Sequence, residues 1–236
     1  MEKDRRFAVL IDADNVSDRY IKLILDEVSN EGILTYKRIY ADWTKPSLSS
    51  WKNLLLANSI TPIQQYSYTA GKIATDSAMI IDAMDILYSE NVEGFCIVSS
   101  NSDFTRLAVR LREAGKYVIG MGDRKTPQAF VVACNRFVFL EALEKDKAGE
   151  IPLESVTSLD VIKDAIKQIV DDTSDEEGWC PLSDVGNTLL KRYPDFDVRN
   201  YGFTKLTPLI KHLNCFEIKS VAVNENIKLI YIRNTE

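Results

Sequence analysis

Two short apolar runs in this chain stop abruptly at carboxylates, and that pairing narrows the possible folds more than any other feature. Phe7-Ala8-Val9-Leu10-Ile11 runs straight into Asp12-Ala13-Asp14-Asn15. Phe95-Cys96-Ile97-Val98 ends at Ser99-Ser100-Asn101-Ser102-Asp103, and a helical pattern begins at Phe104. Continuous apolar runs of this length fit strands buried on both faces, as in a parallel sheet. Open parallel sheets carry their ligand sites beyond the carboxyl ends of the strands. Two strands that deliver acids at the same edge therefore point to a divalent-metal site.

The remaining pattern up to about residue 140 supports an α/β fold. Ile33 to Tyr40 is expected to be a strand following a helix that ends near Gly32. Pro62 to Tyr66, Tyr117 to Met121 and Phe137 to Leu140 are further strands, and Asp76 to Ser89 and Phe104 to Glu113 are helices. Strand–helix alternation at this spacing implies a parallel sheet with helices on both faces. Gly120 and Gly122 lack the third glycine and the following helix of a dinucleotide fingerprint.

Around Lys145 to Ser158 the composition turns to Lys, Asp, Gly, Glu and Pro, which marks a linker. The expected division is a domain over 1–145, a linker over 146–158 and a small domain over 159–236. In the last, Leu159 to Val170 is amphipathic through Val161, Ile162, Ala165, Ile166 and Ile169. Leu182 to Tyr193 and Phe203 to Leu213 are two more helices. Glu217 to Ala222 and Lys228 to Arg233 form a hairpin around Asn224-Glu225-Asn226. Three helices and a β-hairpin make a winged helix, with Val161, Ile166, Leu189, Leu206, Leu209, Ile210 and Leu213 as its core.

The net charge of −6 is unevenly spread. Residues 1–145 hold 18 basic and 19 acidic side chains, residues 146–177 hold 3 and 10, and residues 178–236 hold 8 and 6. The acid is concentrated in one short stretch, so both flanking regions are free to offer basic faces to a phosphate backbone. With His212 the single histidine and no Cys-x-x-Cys spacing, a zinc site is not expected, and Cys96, Cys134, Cys180 and Cys215 are expected to be free thiols. No stretch approaches the ~18 to 20 apolar residues of a membrane span, and the charged start Met1 to Arg6 does not resemble a signal peptide, so a cytoplasmic protein is expected.

Asp12 and Asp103 follow the first and fourth strands, and Asp76 opens a helix. Mg²⁺ prefers a few carboxylates, waters and substrate phosphate oxygens, and such a site activates water for phosphodiester cleavage. Each acid has a plainer role to weigh, since Asp is also a favoured helix N-cap. Asp42 also ends a strand and is a further candidate; Asp14 is expected to stabilise its turn, and Asp82 and Asp85 to be solvated or locally bonded. Lys72, Arg106, Arg124 and Lys125 are candidate phosphate contacts. A haloacid-dehalogenase-like phosphatase shares the Asp-x-Asp after a strand, but Asn15-Val16 replaces its Gly-Thr continuation.

Four ordered motifs together resemble the NYN (LabA-like) domain of the PIN-like nucleases over roughly residues 5–142. They are Ile11-Asp12-Ala13-Asp14-Asn15, Gly71-Lys72-Ile73-Ala74-Thr75-Asp76 with Ile81-Asp82-Ala83-Met84-Asp85, Val98 to Phe104, and Arg124-Lys125-Thr126-Pro127. Residues 151–236, with Trp179-Cys180-Pro181-Leu182 and Tyr201-Gly202-Phe203-Thr204-Lys205-Leu206, resemble the OST-HTH (LOTUS) domain. The resemblance implies a PIN-like, Rossmannoid fold and a Mg²⁺- or Mn²⁺-dependent endoribonuclease with an appended RNA- or protein-binding winged helix. It makes Asp12, Asp76 and Asp103 metal-binding acids and Asn15 the residue that orients the site. On the winged helix, Lys205 and Lys211 are the expected contacts. Asn101 stands where the family usually has an aspartate; it keeps an oxygen ligand but removes a charge. The alternative is therefore a weakened or inactive RNA-binding adaptor.

Overall fold

The computed structural model describes residues 5–66, 74–144, 156–222 and 228–235. Its contacts divide the chain into two units, Met1–Glu141 and Ala142–Glu236.

In the first unit the order is β1 (Arg6–Asp12), α1 (Ile21–Ser29), β2 (Ile33–Ala41), α2 (Trp51–Asn58), β3 (Thr61–Gln64) and α3 (Ala74–Tyr88). Then follow β4 (Gly94–Val98), α4 (Thr105–Glu113), β5 (Tyr117–Gly122), α5 (Gln128–Ala133) and β6 (Arg136–Phe139). All five strand pairings are parallel, in the order β3-β2-β1-β4-β5-β6. The order runs outward from β1 in both directions, so crossovers of one hand lay helices on opposite faces of the sheet. Sequence runs without polar interruption occupy the centre: Phe7 to Ile11 and Phe95 to Val98 are all 0% exposed. Fully burying each large apolar side chain contributes about 1.5–3 kcal/mol, which is why these two strands anchor the core.

The fold class is as the sequence indicates, but two helices were not anticipated. α2 and α5 have 8 and 6 residues, too short to show a clear helical period. α2 is held by burial of Trp51 and Leu55.

The second unit contains α6 (Leu159–Thr173), β7 (Cys180–Pro181), α7 (Leu182–Arg192), α8 (Leu206–Leu213), β8 (Phe216–Ala222) and β9 (Lys228–Asn234). β9 pairs antiparallel with both β8 and β7, completing a three-helix, winged arrangement. Its core gathers Ile162, Ile166, Ile169, Leu189, Leu209 and Ile210, with Leu206 and Leu213 packed against it.

Val161 is an exception to the expected core, at 46% exposed. Ile162, Ala165, Ile166 and Ile169 lie at helical spacing on one stripe, and Val161 is rotated a residue off it. α8 begins at Leu206 rather than Phe203, because Gly202 ends the preceding turn at φ +80° and Lys205 is extended. Residues 145–155 of the expected linker and Asn224 to Asn226 of the hairpin lie outside the described residues. Among the described residues, no helix is long and apolar enough to cross a membrane. All four cysteines are free.

Candidate functional site

The strand order reverses between β1 and β4, and that is where an open parallel sheet leaves a crevice at its carboxyl edge. Asp12, the last residue of β1, is fully buried there. Its Oδ2 accepts hydrogen bonds from Asn15 Nδ2 at 2.6 Å and from Ser99 Oγ at 2.8 Å, and its Oδ1 accepts from the Asp14 amide at 3.1 Å. Burial raises its pKa, partly offset by these three donors.

Asp76, in the first turn of α3, comes to the same edge and is 8% exposed. Burial and the negative charges of Asp12, Asp103 and Asp14 push its pKa up to about 6, against a smaller lowering by Asn101. The charge couplings place Asp12, Asp103 and Asp14 within electrostatic reach of Asp76. Asn101 links two of them: its Nδ2 donates to Asp76 Oδ2 at 2.8 Å and to Asp103 Oδ2 at 3.4 Å. Its Oδ1 accepts from the Asp103 amide at 3.0 Å and so caps the turn that starts α4. The oxygen expected to serve as a ligand thus accepts the capping amide, and the amide nitrogen faces the acids. Asp103 itself is exposed at the mouth.

Three polar residues of this site had not been singled out. Ser99, fully buried, donates to Asp12 while its Oγ accepts from the Asn101 amide at 3.1 Å. Thr75 Oγ1 donates to Asp14 Oδ2 at 3.0 Å, and Lys45 Nζ lies 3.2 Å from Asp14 Oδ1. Asp14 therefore faces a lysine and a threonine across the crevice rather than stabilising its own turn with its side chain. The signal for Ser99 was present in the polar stop of the fourth strand; Lys45 and Thr75 are joined to Asp14 only by the fold.

Gly122, at the end of β5, has a steric reason to be glycine. A Cβ there would lie 2.5 Å from Thr126 Oγ1 and 2.7 Å from the Ser99 carbonyl oxygen. The loop beyond it is fixed by the Asp123 amide, which donates to Ser100 Oγ at 2.8 Å, and by Lys125 N bonding Asp123 Oδ1 at 2.9 Å.

Other candidates are placed elsewhere. Asp42 accepts from Thr44 and from Gln64 Nε2 and so braces the β2 and β3 ends. Asp82 is neither solvated nor locally bonded: it pairs with Arg38 and accepts from the Tyr40 hydroxyl, fastening α3 to β2. Arg106 and Lys125 are exposed, Arg124 is half-buried with its amide on Glu141, and Lys72 lies outside the described residues. On the second unit Lys205 and Lys211 are exposed at the two ends of α8. Trp179 there lies under the cations of Lys219 and Arg233, at 5.2 and 4.8 Å from its ring centre.

Among the described residues, no three Asp, Glu, His or Cys side chains form a group set up to hold a metal ion by themselves. What is present is a cluster of acids in which Asp12, Asp76 and Asp103 form no ion pair among the described residues. Burial and these neighbours raise the Asp76 pKa to about 6. That surplus of negative charge suits a cation bound by one or two carboxylates with water and substrate phosphate completing its shell, as Mg²⁺ is commonly held.

Comparison with curated proteins finds no match. Among solved structures, a protein of unknown function from Vibrio parahaemolyticus shares 20% identity over 59% of this chain and 94% of its own, with a TM-score of 0.51. That likeness shows the fold. The WlbA dehydrogenase from Bordetella pertussis, solved with NADH and UDP-GlcNAcA, shares 14% identity over 73% of this chain and 41% of its own. Its TM-score of 0.34 is too low to carry an argument. The family models are more specific: residues 6–141 match the NYN domain and residues 154–227 the OST-HTH/LOTUS domain. With the greater part of its length under the first model, this chain belongs to the NYN domain family and carries an OST-HTH/LOTUS domain after it.

Proposed function

We propose that this protein is a divalent-cation-dependent ribonuclease that hydrolyses RNA phosphodiester bonds, with the winged helix holding RNA. NYN domains belong to the PIN-like nuclease superfamily, and OST-HTH/LOTUS domains bind RNA. The observation that supports the reading best is Asp76, whose carboxyl is pushed to about 6 by burial and by Asp12, Asp103 and Asp14. Strongly perturbed acids in a crevice at a sheet's switch point are what hydrolytic chemistry uses.

Asp12 and Asp76 would hold Mg²⁺ or Mn²⁺, and Asp103 would reach it through water. Such an ion lowers the pKa of bound water and stabilises developing negative charge on the leaving oxygen. Asp12 supplies a fixed acceptor, because Ser99 and Asn15 pin its Oδ2. Asp76, raised to about 6 by burial and by the neighbouring acids while no cation is bound, would give up its proton when a cation binds there. Lys125 and Arg106 are exposed and free to neutralise phosphates along the strand. Calorimetric titration with Mn²⁺ tests the cation part: one site is expected in the parent and much weaker binding in Asp76→Asn. No binding to the parent would remove it.

Asn101 favours a second reading. A neutral side chain that turns its amide nitrogen to Asp76 leaves this site one charge short of the family pattern. The adaptor alternative, an RNA-binding protein without cleavage, follows if that missing charge abolishes turnover.

A further inference from the structure

Beside the acid cluster lies a cavity of about 590 Å³ that none of the roles above uses. It is walled by Leu55, Ile60 and Pro62 from α2 and the start of β3, with Trp43 on the loop after β2. The exposed Lys45 and Lys52 also line it. Its volume falls within the usual range for small-ligand sites.

The tryptophan is held rigidly. Its Nε1 donates to the Ile63 carbonyl at 3.0 Å, and its backbone amide donates to Gln64 Oε1 at 3.0 Å. Gln64 is held in turn through its Nε2, which donates to Asp42 Oδ1 at 3.0 Å. Asp42, set aside as a metal ligand, is a brace for this wall. The cavity and the acid cluster share Lys45, whose Nζ is 3.2 Å from Asp14 Oδ1.

We propose that this cavity takes an unpaired base of the RNA strand and thereby sets the neighbouring phosphate at the acid cluster, an inference that rests on the ribonuclease reading. An immobilised aromatic ring, an apolar floor and flanking lysines are the parts from which single-strand binding sites are built. A base enters such a site only when it is unstacked and unpaired, so the substrate class is single-stranded RNA or a loop rather than duplex. Lys52 and Lys45 meet the phosphates on either side, which gives the cavity a charge complement that an apolar peptide side chain would not need.

The test is photo-crosslinking of the full-length protein to single-stranded RNA carrying 5-iodouridine, in EDTA, with adducts mapped by mass spectrometry. The expected adduct is on Trp43. Leu56→Asp places a carboxylate on the wall at a residue that is 77% exposed, so folding is preserved. Its adduct yield should fall about tenfold, because the new carboxylate repels the flanking phosphates and leaves the apolar wall polar. The same RNA annealed to its complement should give none. Adducts only at other residues, no adduct at all, an equal yield from the duplex or an undiminished yield in Leu56→Asp would each overturn the proposal. EDTA separates the two claims. A protein that cross-links at Trp43 but never cuts RNA with metal keeps this site and loses the nuclease reading. One that cuts RNA without a Trp43 adduct does the reverse.

Discussion

Asn101 donates its side-chain amide to Asp76 Oδ2 across 2.8 Å while its own oxygen caps the turn that begins α4. One residue thus relieves part of the repulsion in the acid cluster and fixes the backbone that carries Asp103. An aspartate at this position could still cap, but it would face Asp76 with a negative charge. Asn101→Asp should therefore destabilise the metal-free protein by about 1–3 kcal/mol, the scale for losing a hydrogen bond to a charged group. Saturating Mn²⁺ should recover most of that loss, with tighter cation binding than in the parent. Thermal melting with and without Mn²⁺ checks both signs, and an unchanged metal-free melting temperature would remove Asn101 from the cluster.

Asp76 sets a pH dependence. Its carboxyl rises from 3.8 to about 6 in the folded chain, so the folded state holds that proton more tightly than the unfolded one. Its contribution to stability is present below about pH 4 and is lost as pH rises through about 6. Cations need the deprotonated form, so the stabilisation given by Mn²⁺ should be small at pH 5 and grow through about pH 6. Asp76→Asn should flatten this profile. A Mn²⁺ shift that is the same at pH 5 and pH 7 would contradict the assignment.

Ser99 and Gly122 support the site without facing RNA. Ser99→Ala removes a buried donor from the Asp12 carboxylate and should cost about 1–3 kcal/mol in melting experiments. Gly122→Ala brings a methyl group within 2.7 Å of the Ser99 carbonyl oxygen, so the β5 loop must shift. The variant should stay folded by circular dichroism yet bind Mn²⁺ more weakly. Unaltered Mn²⁺ affinity would show that this loop does not set the position of Ser99 and Asp12.

The second unit has its own core around Ile162, Ile166, Leu189 and Ile210. A chain truncated after residue 144 should therefore still melt cooperatively while its affinity for single-stranded RNA falls. Fluorescence anisotropy with a labelled oligonucleotide measures the fall. Unchanged affinity would make the winged helix a protein-docking module instead.

The sheet was legible because its central strands are uninterrupted apolar runs of strand length and each stops at polar residues, a pattern that fits a doubly covered parallel strand. Asp12, Asp103 and Asn101 were legible for the same reason, since strand ends can be counted along the sequence. The partners were not. Asp82 reaches Arg38 and Tyr40 over more than 40 positions, and Lys45 reaches Asp14 over 31, contacts that only the sheet order creates. Trp43 carries no signal of its own in the sequence, because the cavity it lines is completed by a short helix with too few turns to show a period. Val161 was assigned inward because periodicity locates a stripe to within about one residue of rotation.

The most direct measurement is cleavage of end-labelled single-stranded RNA by the parent, Asp12→Asn and Asp76→Asn, in Mg²⁺, Mn²⁺ or EDTA. The parent should cut with Mn²⁺ or Mg²⁺ and not in EDTA, and either variant should lose at least about tenfold in activity, the low end for a disturbed metal shell. Cutting that persists in EDTA or is undiminished in both variants would contradict the nuclease reading, as would a parent that binds Mn²⁺ at this cluster and leaves every RNA intact.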